Sequence, residues 1–426
     1  MEEKPTPKDF NKKEENKNEI IIENNEIKAE ENNIEEEEIK DDILREEDIK
    51  IDEKELDFNE QPEIEIKTEE DLEQKITPDI EKIEIDNLNG DKVLEKLTKT
   101  KFTKLEYLSL SNMNINSLNF LNNDCFKTLI ILEIKHTKLT SLDELSKAPL
   151  EELKVLDLSS NEISSLAALK DCKFKNLEIL NLSDNKNIND VKPIKEAGFK
   201  NLKKLDLSSN NIENINYLGD NSLSTLEYLY LNNNKISDIS VLDQTVFKKL
   251  KELQLCDNKI EKIDVFGADD RFKELEELQL SGNQIKSIDA FAKSQSEKLK
   301  ILFLSKNEIT DIKALSKTPF KNLEILELFD NKITEINDVF NNTPFNAIIK
   351  KLDLSFNKLK SIDILLDKKN FPKMVSLNIE ANDNLDYSNE KIKQLYDNYN
   401  VKFTFNSIFE EKLVNEIIYP KNISII

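Results

Sequence analysis

Residues 153–163, LKVLDLSSNEI, decide the fold of this chain, because their pattern recurs along most of its length. If Leu153 is position 1, apolar residues occupy positions 1, 4, 6 and 11, and Asn161 occupies position 9. A degenerate copy of the frame begins at Ile80. Twelve clearer copies follow it at intervals of 24–26 residues, beginning at Leu105, Leu129, Leu153, Leu177, Leu202, Leu226, Leu250, Leu275, Leu299, Leu323, Ile349 and Met374.

Apolar and polar residues alternate through positions 3–7 of each copy, which is the pattern of a β-strand with one buried face. A unit of this length cannot bury its apolar face alone, so neighbouring copies must stack around one continuous core. The pattern therefore predicts an α/β solenoid, a horseshoe with a concave parallel sheet and short convex helices. Positions 4 and 6 point into the core, and positions 3, 5, 7 and 8 are expected to point outward.

Two further columns of residues are expected inside the solenoid. Asn occupies position 9 in ten of the twelve copies, and its amide can bond the turning backbone of adjacent copies. Met113 and Thr137 replace it in the first two copies. Phe recurs three residues before the frame, as at Phe126, Phe272 and Phe320, which predicts a buried aromatic column on the convex side.

The segments that flank the array have a different composition. Residues 1–78 hold 30 acidic and 12 basic residues, which predicts a disordered acidic N-terminal segment. Its short apolar clusters are either docking motifs or parts of a solvated leader. We assign residues 79–387 to the solenoid, with about 12–13 repeats, and residues 388–426 to a C-terminal cap. In the cap we expect a helix from Ser388 to about Tyr399, a short strand near Val401 and a second helix.

Composition argues against several kinds of partner and compartment. Residues 79–426 are nearly balanced in charge, and Arg45 and Arg271 are the only arginines, so the basic stripe that nucleic acid requires is missing. No run of about 18 apolar residues would span a membrane, and the N-terminus lacks the apolar core of a secretory signal. We therefore expect a cytoplasmic or nuclear monomer that binds neither nucleic acid nor membranes.

Residues for catalysis or metal binding are sparse. His136 is the only histidine, the five glycines are isolated, and the three cysteines are scattered, so we expect no enzyme activity, no cofactor and no metal. Carboxylates recur at position 5, but the middle copies have other residues there, so no continuous acidic column forms. We interpret these carboxylates as part of a solvated polar row. These carboxylates are Glu133, Asp157, Asp206, Glu327 and Asp353.

Most outward positions hold polar residues, but a few hold apolar ones. These exceptions are informative because exposed apolar clusters often mark binding surfaces. Phe303, Phe329 and Phe356 step from position 5 to 7 to 8 across three successive copies and predict a diagonal patch. Aromatic residues dominate binding hot spots, so we expect protein binding here. The full set of predicted partner-binding residues is Tyr107, Tyr228, Tyr230, Ile301, Phe303, Ile325, Phe329 and Phe356.

The frame L-x-x-L-x-L-x-x-N-x-L resembles the leucine-rich repeat. Its endings, such as NKIEKI at residues 258–263, are similar to the subclass that includes the leucine-rich-repeat regulatory subunit of protein phosphatase 1 and the internalins. The repeats of that subclass typically have 22 residues, whereas these have 24–25 and an added Phe column. The resemblance implies a protein partner on the concave face.

We expect a non-catalytic protein-binding scaffold or regulatory subunit. The alternative is a regulator of a signalling enzyme, either a phosphatase regulatory subunit or a GTPase activator. Arg271 lies beside the Phe272 column at a convex or edge position, which disfavours the GTPase activator.

Overall fold

The computed structural model describes residues 65–219, 223–243, 247–267, 270–385 and 388–399. Within these residues, fourteen strands form one parallel sheet in which each strand pairs with the next along the chain. The sheet is open, with the first and last strands at its edges. The strands are β1 Glu65–Ile66, β2 Lys82–Asp86, β3 Tyr107–Ser111, β4 Ile131–Lys135, β5 Val155–Asp157, β6 Ile179–Asn181, β7 Lys204–Asp206, β8 Tyr228–Tyr230, β9 Glu252–Gln254, β10 Glu277–Gln279, β11 Ile301–Phe303, β12 Ile325–Glu327, β13 Lys351–Asp353 and β14 Ser376–Asn378.

The register of the sheet follows the repeat frame, which confirms the predicted solenoid. In β9 and β10, Glu252 lies opposite Glu277 and Leu253 lies opposite Leu278, so equal positions of successive copies stack. The leucines at positions 4 and 6 are fully buried throughout the array, as Leu253 and Leu255 show. Each strand thus has one face in the core and one outside.

The segments opposite the sheet are helical, as predicted, and most are single turns of 3-10 helix. A period of 24–26 residues leaves little chain after the strand and its turn, and this favours the short 3-10 form. The α-helices are α1 Glu69–Lys75, α2 Gly90–Lys99, α3 Lys192–Ala197, α4 Asn337–Phe340 and α5 Asn389–Tyr399. The 3-10 helices are Asn119–Asn122, Asp124–Phe126, Asp143–Lys147, Ala167–Asp171, Asn216–Leu218, Ser240–Asp243, Asp264–Gly267, Asp289–Lys293, Lys313–Lys317, Asp363–Leu366 and Lys368–Asn370.

The asparagine at position 9 joins adjacent copies as predicted. Asn258 Nδ2 donates to the carbonyl of Leu231 in the preceding copy at 2.9 Å and to the carbonyl of Leu255 in its own copy at 3.2 Å. Its Oδ1 accepts from the backbone N–H of Ile236 at 3.0 Å. Where Thr137 replaces the asparagine, its hydroxyl donates to Asn161 Oδ1 at 2.8 Å, so the ladder continues into that copy.

The predicted aromatic column is also present on the convex side. Phe291 lies 5.6 Å from Phe320 and 6.0 Å from Phe266 between ring centroids, and Phe266 lies 5.1 Å from Phe272. The column therefore combines the Phe residues that precede the frame with those of the 3-10 helices. Offset and edge-on contacts of this kind stabilise aromatic pairs beyond their buried area.

The N-terminal boundary differs from the prediction. Residues 65–78, assigned to the disordered segment, belong to the folded array: β1 pairs with β2, and α1 begins with a reciprocal capping box between Thr68 and Asp71. Leu72 and Ile76 are buried in the core. The segment was assigned by its average charge, which hides a short helix with one apolar face. Residues 1–64, the rest of the predicted disordered segment, lie outside the described residues.

The C-terminal helix agrees with the prediction and packs on the convex side. Leu395 of α5 is fully buried, Lys391 pairs with Asp363 at 3.0 Å, and Gln394 donates to the carbonyl of Leu366. The helix thus covers the segment that precedes β14. The predicted strand near Val401 and the second cap helix lie outside the described residues.

Candidate protein-binding surface

The outer side of the sheet, called the open face below, is built from positions 3, 5 and 7 of each copy. It corresponds to the predicted concave face. Strand alternation directs these side chains away from the leucines of the core. Because adjacent strands are in register, equal positions form columns that run across the copies. The side chains of the open face therefore form a regular grid of mostly polar residues. Apolar residues stand out at particular positions of this grid.

Position 8 differs from the prediction, because it is a turn and not an outward strand position. Its residue has a positive φ in all twelve framed copies and in the Ile80 copy. In most copies its N–H donates to a carbonyl of the next copy, as the N–H of Asp257 does to the carbonyl of Ser281 at 2.8 Å. Left-handed backbone favours Gly, Asn and Asp. The residues are Asn87, Asn112, His136, Ser160, Asp184, Ser209, Asn233, Asp257, Gly282, Lys306, Asp330, Phe356 and Ala381.

Five of the predicted partner-binding residues lie on three adjacent copies and define the apolar patch: Ile301, Phe303, Ile325, Phe329 and Phe356. Ile301 of β11 lies directly opposite Ile325 of β12. Phe303 lies opposite Glu327 in the same strand pair, and Phe329 follows β12 by two residues. These four side chains are half-buried. The patch is thus a partly exposed apolar area of β11–β13.

Phe356 is the outlying member of the apolar patch. Its side chain is 53% exposed, and its backbone has φ 53°, in the left-handed turn at position 8. A bulky side chain is strained in this conformation, at a cost of about 1–3 kcal/mol. A residue that is both exposed and strained contributes little to folding, which favours a role in binding.

The predicted tyrosines are separated from the apolar patch. Tyr107 is in β3, near the N-terminal edge, where its hydroxyl donates to Glu133 at 3.2 Å and Lys82 Nζ lies 4.7 Å from its ring centroid. Tyr228 is half-buried in β8. Tyr230 of the same strand is only 3% exposed. The structure therefore brings together Tyr228 and Tyr230 on one strand but leaves Tyr107 apart.

Lys204 and Glu252 enclose Tyr230. Lys204 Nζ lies 5.0 Å from the ring centroid, and the Tyr230 hydroxyl donates to Glu252 at 3.0 Å. Burial, with Glu252 nearby, raises the pKa of the Tyr230 phenol, so it stays protonated as a donor. Tyr230 acts as packing within the open face, and little of its ring faces solvent.

Four carboxylates between β5 and β10 form the acidic centre: Asp157, Asp206, Glu252 and Glu277. Burial raises the pKa of the first three. The pKa of Glu277 is raised to about 7, first by burial and then by the negative charge of Glu252 in the adjacent strand. Desolvation disfavours the charged form unless a cation compensates it. The nearby Lys204 is itself buried, which lowers its pKa.

The chemistry of this acidic centre was not predicted. Asp157 and Asp206 at position 5 were expected to belong to a solvated polar row, and Glu252 and Glu277 at position 3 were not among the candidate residues. The available signal was two glutamates at equal positions of successive copies, because register places such residues side by side. Their burial depends on the long neighbouring side chains of Gln254 and Gln279, which bond to them.

Groups suited to catalysis or metal binding do not converge in the part of the chain that the structure describes. Within those residues no three His, Cys, Asp or Glu side chains are arranged to hold a metal ion. His136 is exposed in a position 8 turn. Burial raises the pKa of the Cys172 and Cys256 thiols to about 12, so they are poor nucleophiles. Arg271 pairs with Asp243 at 2.5 Å, beside the 3-10 helices.

Sequence comparison identifies repeats within the array. The leucine-rich-repeat model matches residues 273–333, and a model of two leucine-rich repeats matches residues 151–196, 200–244 and 248–293. None of the curated proteins matches the sequence significantly. Among the described residues, no helix has the length and apolar character required to cross a membrane.

Solved structures with a similar fold include proteins from bacteria and plants. The internalin InlF of Listeria monocytogenes is 26% identical, with a TM-score of 0.55, over 74% of this chain and 89% of its own. A protein of Leptospira interrogans is 22% identical, with a TM-score of 0.54, over 78% and 97% of the two chains. The ectodomain of the Arabidopsis thaliana receptor kinase GASSHO1/SCHENGEN3, solved in complex with CASPARIAN STRIP INTEGRITY FACTOR 2, is 18% identical, with a TM-score of 0.50, over 75% and 40%.

Proposed function

The chain is a leucine-rich-repeat protein, and from this premise we propose that it is a non-catalytic scaffold or regulatory subunit that captures a protein partner on its open face. Proteins of this repeat class generally serve as protein-interaction scaffolds, because stacked repeats present an extended surface. The plant ectodomain in complex with CASPARIAN STRIP INTEGRITY FACTOR 2 is one such case. The open face is the counterpart of that surface here.

The observation that carries the proposal is Phe356. This residue keeps a large apolar side chain in solvent and in a left-handed turn where most other copies have Asn, Asp, Ser or Gly. Strained or exposed residues of this kind persist where function requires them. Phe303 and Phe329 extend the same surface over two neighbouring copies. Together they supply the aromatic anchors that dominate protein interfaces.

The proposal is tested by changing Phe303, Phe329 and Phe356 together to Ser in the full chain. Affinity capture from lysate, followed by mass spectrometry, compares the variant with the unchanged chain. We expect capture of the specific partner to be lost, because each good aromatic anchor contributes about 2 kcal/mol or more. The change at Phe356 should lower the melting temperature little, and the changes at the half-buried Phe303 and Phe329 should lower it moderately.

A matched control is Tyr217→Ser with Val375→Ser, because both side chains are exposed and apolar but lie outside the apolar patch. The control should retain the partner. Equal capture by the triple variant and the unchanged chain would contradict the proposal.

A regulatory role is distinguished by the identity of the captured protein. Recovery of a phosphatase or a GTPase supports the regulatory-subunit form of the proposal. A GTPase activator that used an arginine finger would need a free guanidinium at the interface. Arg271 instead pairs with Asp243 beside the convex helices, and this favours the scaffold over the activator.

We also propose a cytoplasmic or nuclear location. Cys125, Cys172 and Cys256 lie in separate copies as free thiols. Secreted repeat proteins commonly use such residues in disulfides, and cytosolic ones keep them reduced. Localisation of a tagged full chain by microscopy tests this, and accumulation in the medium would contradict it.

A further inference from the structure

The charge of the open face identifies the kind of partner it fits. Across the Ile80 copy and the twelve framed copies, positions 3, 5 and 7 hold ten carboxylates and four lysines, a formal net charge of −6. Residues 79–426, which contain all of these positions, carry 55 acidic and 49 basic residues, a net charge of −6. The acidic excess of the array is therefore concentrated on the open face.

Several carboxylates of the open face already have lysine partners. Lys135 pairs with Glu133 at 3.0 Å, and Lys351 pairs with Glu327 at 2.9 Å. The acidic centre has mainly neutral partners instead: Asn181 donates to Asp157 at 3.1 Å, and Gln254 donates to Glu252. Two cations neighbour the acidic centre among the described residues. Lys204 is 8% exposed and lies over the Tyr230 ring, and Lys135 acts on Asp157 but is already paired with Glu133. The four carboxylates therefore outnumber the nearby lysines.

Glu277 is the least solvent-exposed carboxylate of this group, with 6% exposure. It lies opposite Glu252 on one side and opposite Ile301 of the apolar patch on the other. A carboxylate in this position costs free energy when it ionises, and an incoming cation recovers that cost. The acidic centre and the apolar patch thus meet at the pairing of β10 with β11 and form one continuous surface.

We propose that the open face binds a basic protein segment whose Lys or Arg side chains lie on the acidic centre and whose apolar side chain lies on the apolar patch. This inference rests on the proposed function and specifies its partner. A cationic segment neutralises the four carboxylates, and electrostatic complementarity both speeds and orients its approach. The same field repels acidic partners.

The proposal is tested with the full chain and two fluorescent peptides of about 16 residues. Both contain Leu and Phe at the same positions, and the remaining positions are Lys and Arg in one peptide and Glu and Asp in the other. Fluorescence anisotropy should show binding of the basic peptide and no binding of the acidic one. Raising NaCl from about 50 mM to about 500 mM should weaken binding about tenfold or more, because salt screens exposed charges.

The variant Glu252→Gln with Glu277→Gln removes two charges and preserves shape. It should weaken binding of the basic peptide about tenfold while folding at least as well as the unchanged chain. The control, Glu162→Gln with Glu261→Gln, removes the same charge from exposed positions outside the open face and should bind normally. Thermal melting of both variants verifies that they fold.

Three outcomes would overturn the inference: no binding of the basic peptide, equal binding of the acidic peptide, or an equal loss in the control variant. A second copy of this chain as the occupant would appear instead as concentration-dependent dimerisation that the Gln variant strengthens. The proposed function fails separately, when the triple Ser variant still captures its partner. If capture depends on the aromatic residues but not on Glu252 and Glu277, the proposed function stands and the proposal of a basic partner is contradicted.

Discussion

Phe356 has a backbone conformation that its own side chain disfavours, with φ 53° at position 8. Asn adopts left-handed backbone several times more readily than bulky residues do. Phe356→Asn should therefore stabilise the fold by up to about 1 kcal/mol, less whatever packing the half-exposed ring supplies. Urea unfolding measures the change. Asp330→Asn, at the same position of the preceding copy, is the control and should change little. A loss of stability on Phe356→Asn would show that the ring is needed for folding.

Glu277 makes the stability of the array depend on pH. Its pKa is raised from 4.5 to about 7, so below pH 4.5 the carboxyl is protonated in both the folded and the unfolded chain. As pH rises to about 7, the unfolded chain ionises first and the free energy of unfolding falls. Above this range the loss is complete. Glu252 contributes to this shift by charge repulsion.

Glu277→Gln should therefore stabilise the protein at about pH 8, by on the order of 2 kcal/mol, and have little effect at about pH 4.5. Thermal melting across this pH range measures the difference. Glu162→Gln, at an exposed position, is the matched control and should show no such trend. A stabilisation that is the same at both pH values would mean that ionisation of Glu277 is not its cause.

The sequence located the apolar patch but not the physical state of its members. Alternation correctly places Ile301 and Phe303 on the outward side of a strand. Phe356 has a strained backbone because it lies in the turn after the strand. Alternation alone does not specify the residue at which the strand ends. The recurrence of Asn, Asp, Ser and Gly at position 8 was the available signal. Tyr230 shows the converse limit, because its burial depends on the neighbouring Lys204 and Glu252.

The turn after each strand depends on the asparagine ladder. Asn258→Ala would leave the carbonyls of Leu231, Leu255 and Cys256 and the N–H of Ile236 without their side-chain partner. Buried backbone groups without partners cost about 1–3 kcal/mol each, and water can satisfy some of them, so we expect a loss of about 3 kcal/mol. Chemical denaturation measures it. Lys259→Ala, at the next and exposed position, should change little. Equal effects of the two changes would refute the role of the ladder.

The elements that recur were predictable, and those that occur once were not. Twelve aligned copies define the strands, the core leucines and the asparagine ladder, because each copy repeats the same pattern. β1 and α1 occur once and lie in a highly charged context, so their apolar residues gave no repeated signal. The convex helices were expected, but their 3-10 form depends on the space between neighbouring copies, which the sequence does not state.

Charge is distributed differently on two surfaces of the whole array. Position 2 alternates between Lys and Glu over nine copies, and pairs such as Lys203–Glu178 at 2.6 Å and Lys251–Glu227 at 2.7 Å join neighbours. Exposed pairs stabilise weakly, but alternation keeps like charges from adjacent copies apart. On the open face only some carboxylates pair with lysines, as Glu133 and Glu327 do, and an acidic excess remains. The contrast supports a binding origin for that excess, because the array balances charge where no partner is proposed.

Stability should depend on where along the array a defect lies, because each copy contacts mainly its neighbours. Leu253 and Leu377 occupy position 4 of β9 and β14 and are equally buried. Changing either to Ala should cost about 2–5 kcal/mol in its own copy.

The position of the strand in the sheet decides how far the defect spreads. β9 is paired on both sides, whereas β14 ends the described sheet and pairs only with β13. Leu377→Ala should therefore increase amide hydrogen exchange near β13 and β14 and leave β2–β8 protected. Leu253→Ala should lower protection on both sides of β9 and reduce the main unfolding midpoint. Equal loss of protection across β2–β8 in both variants would show that the array unfolds as a single block.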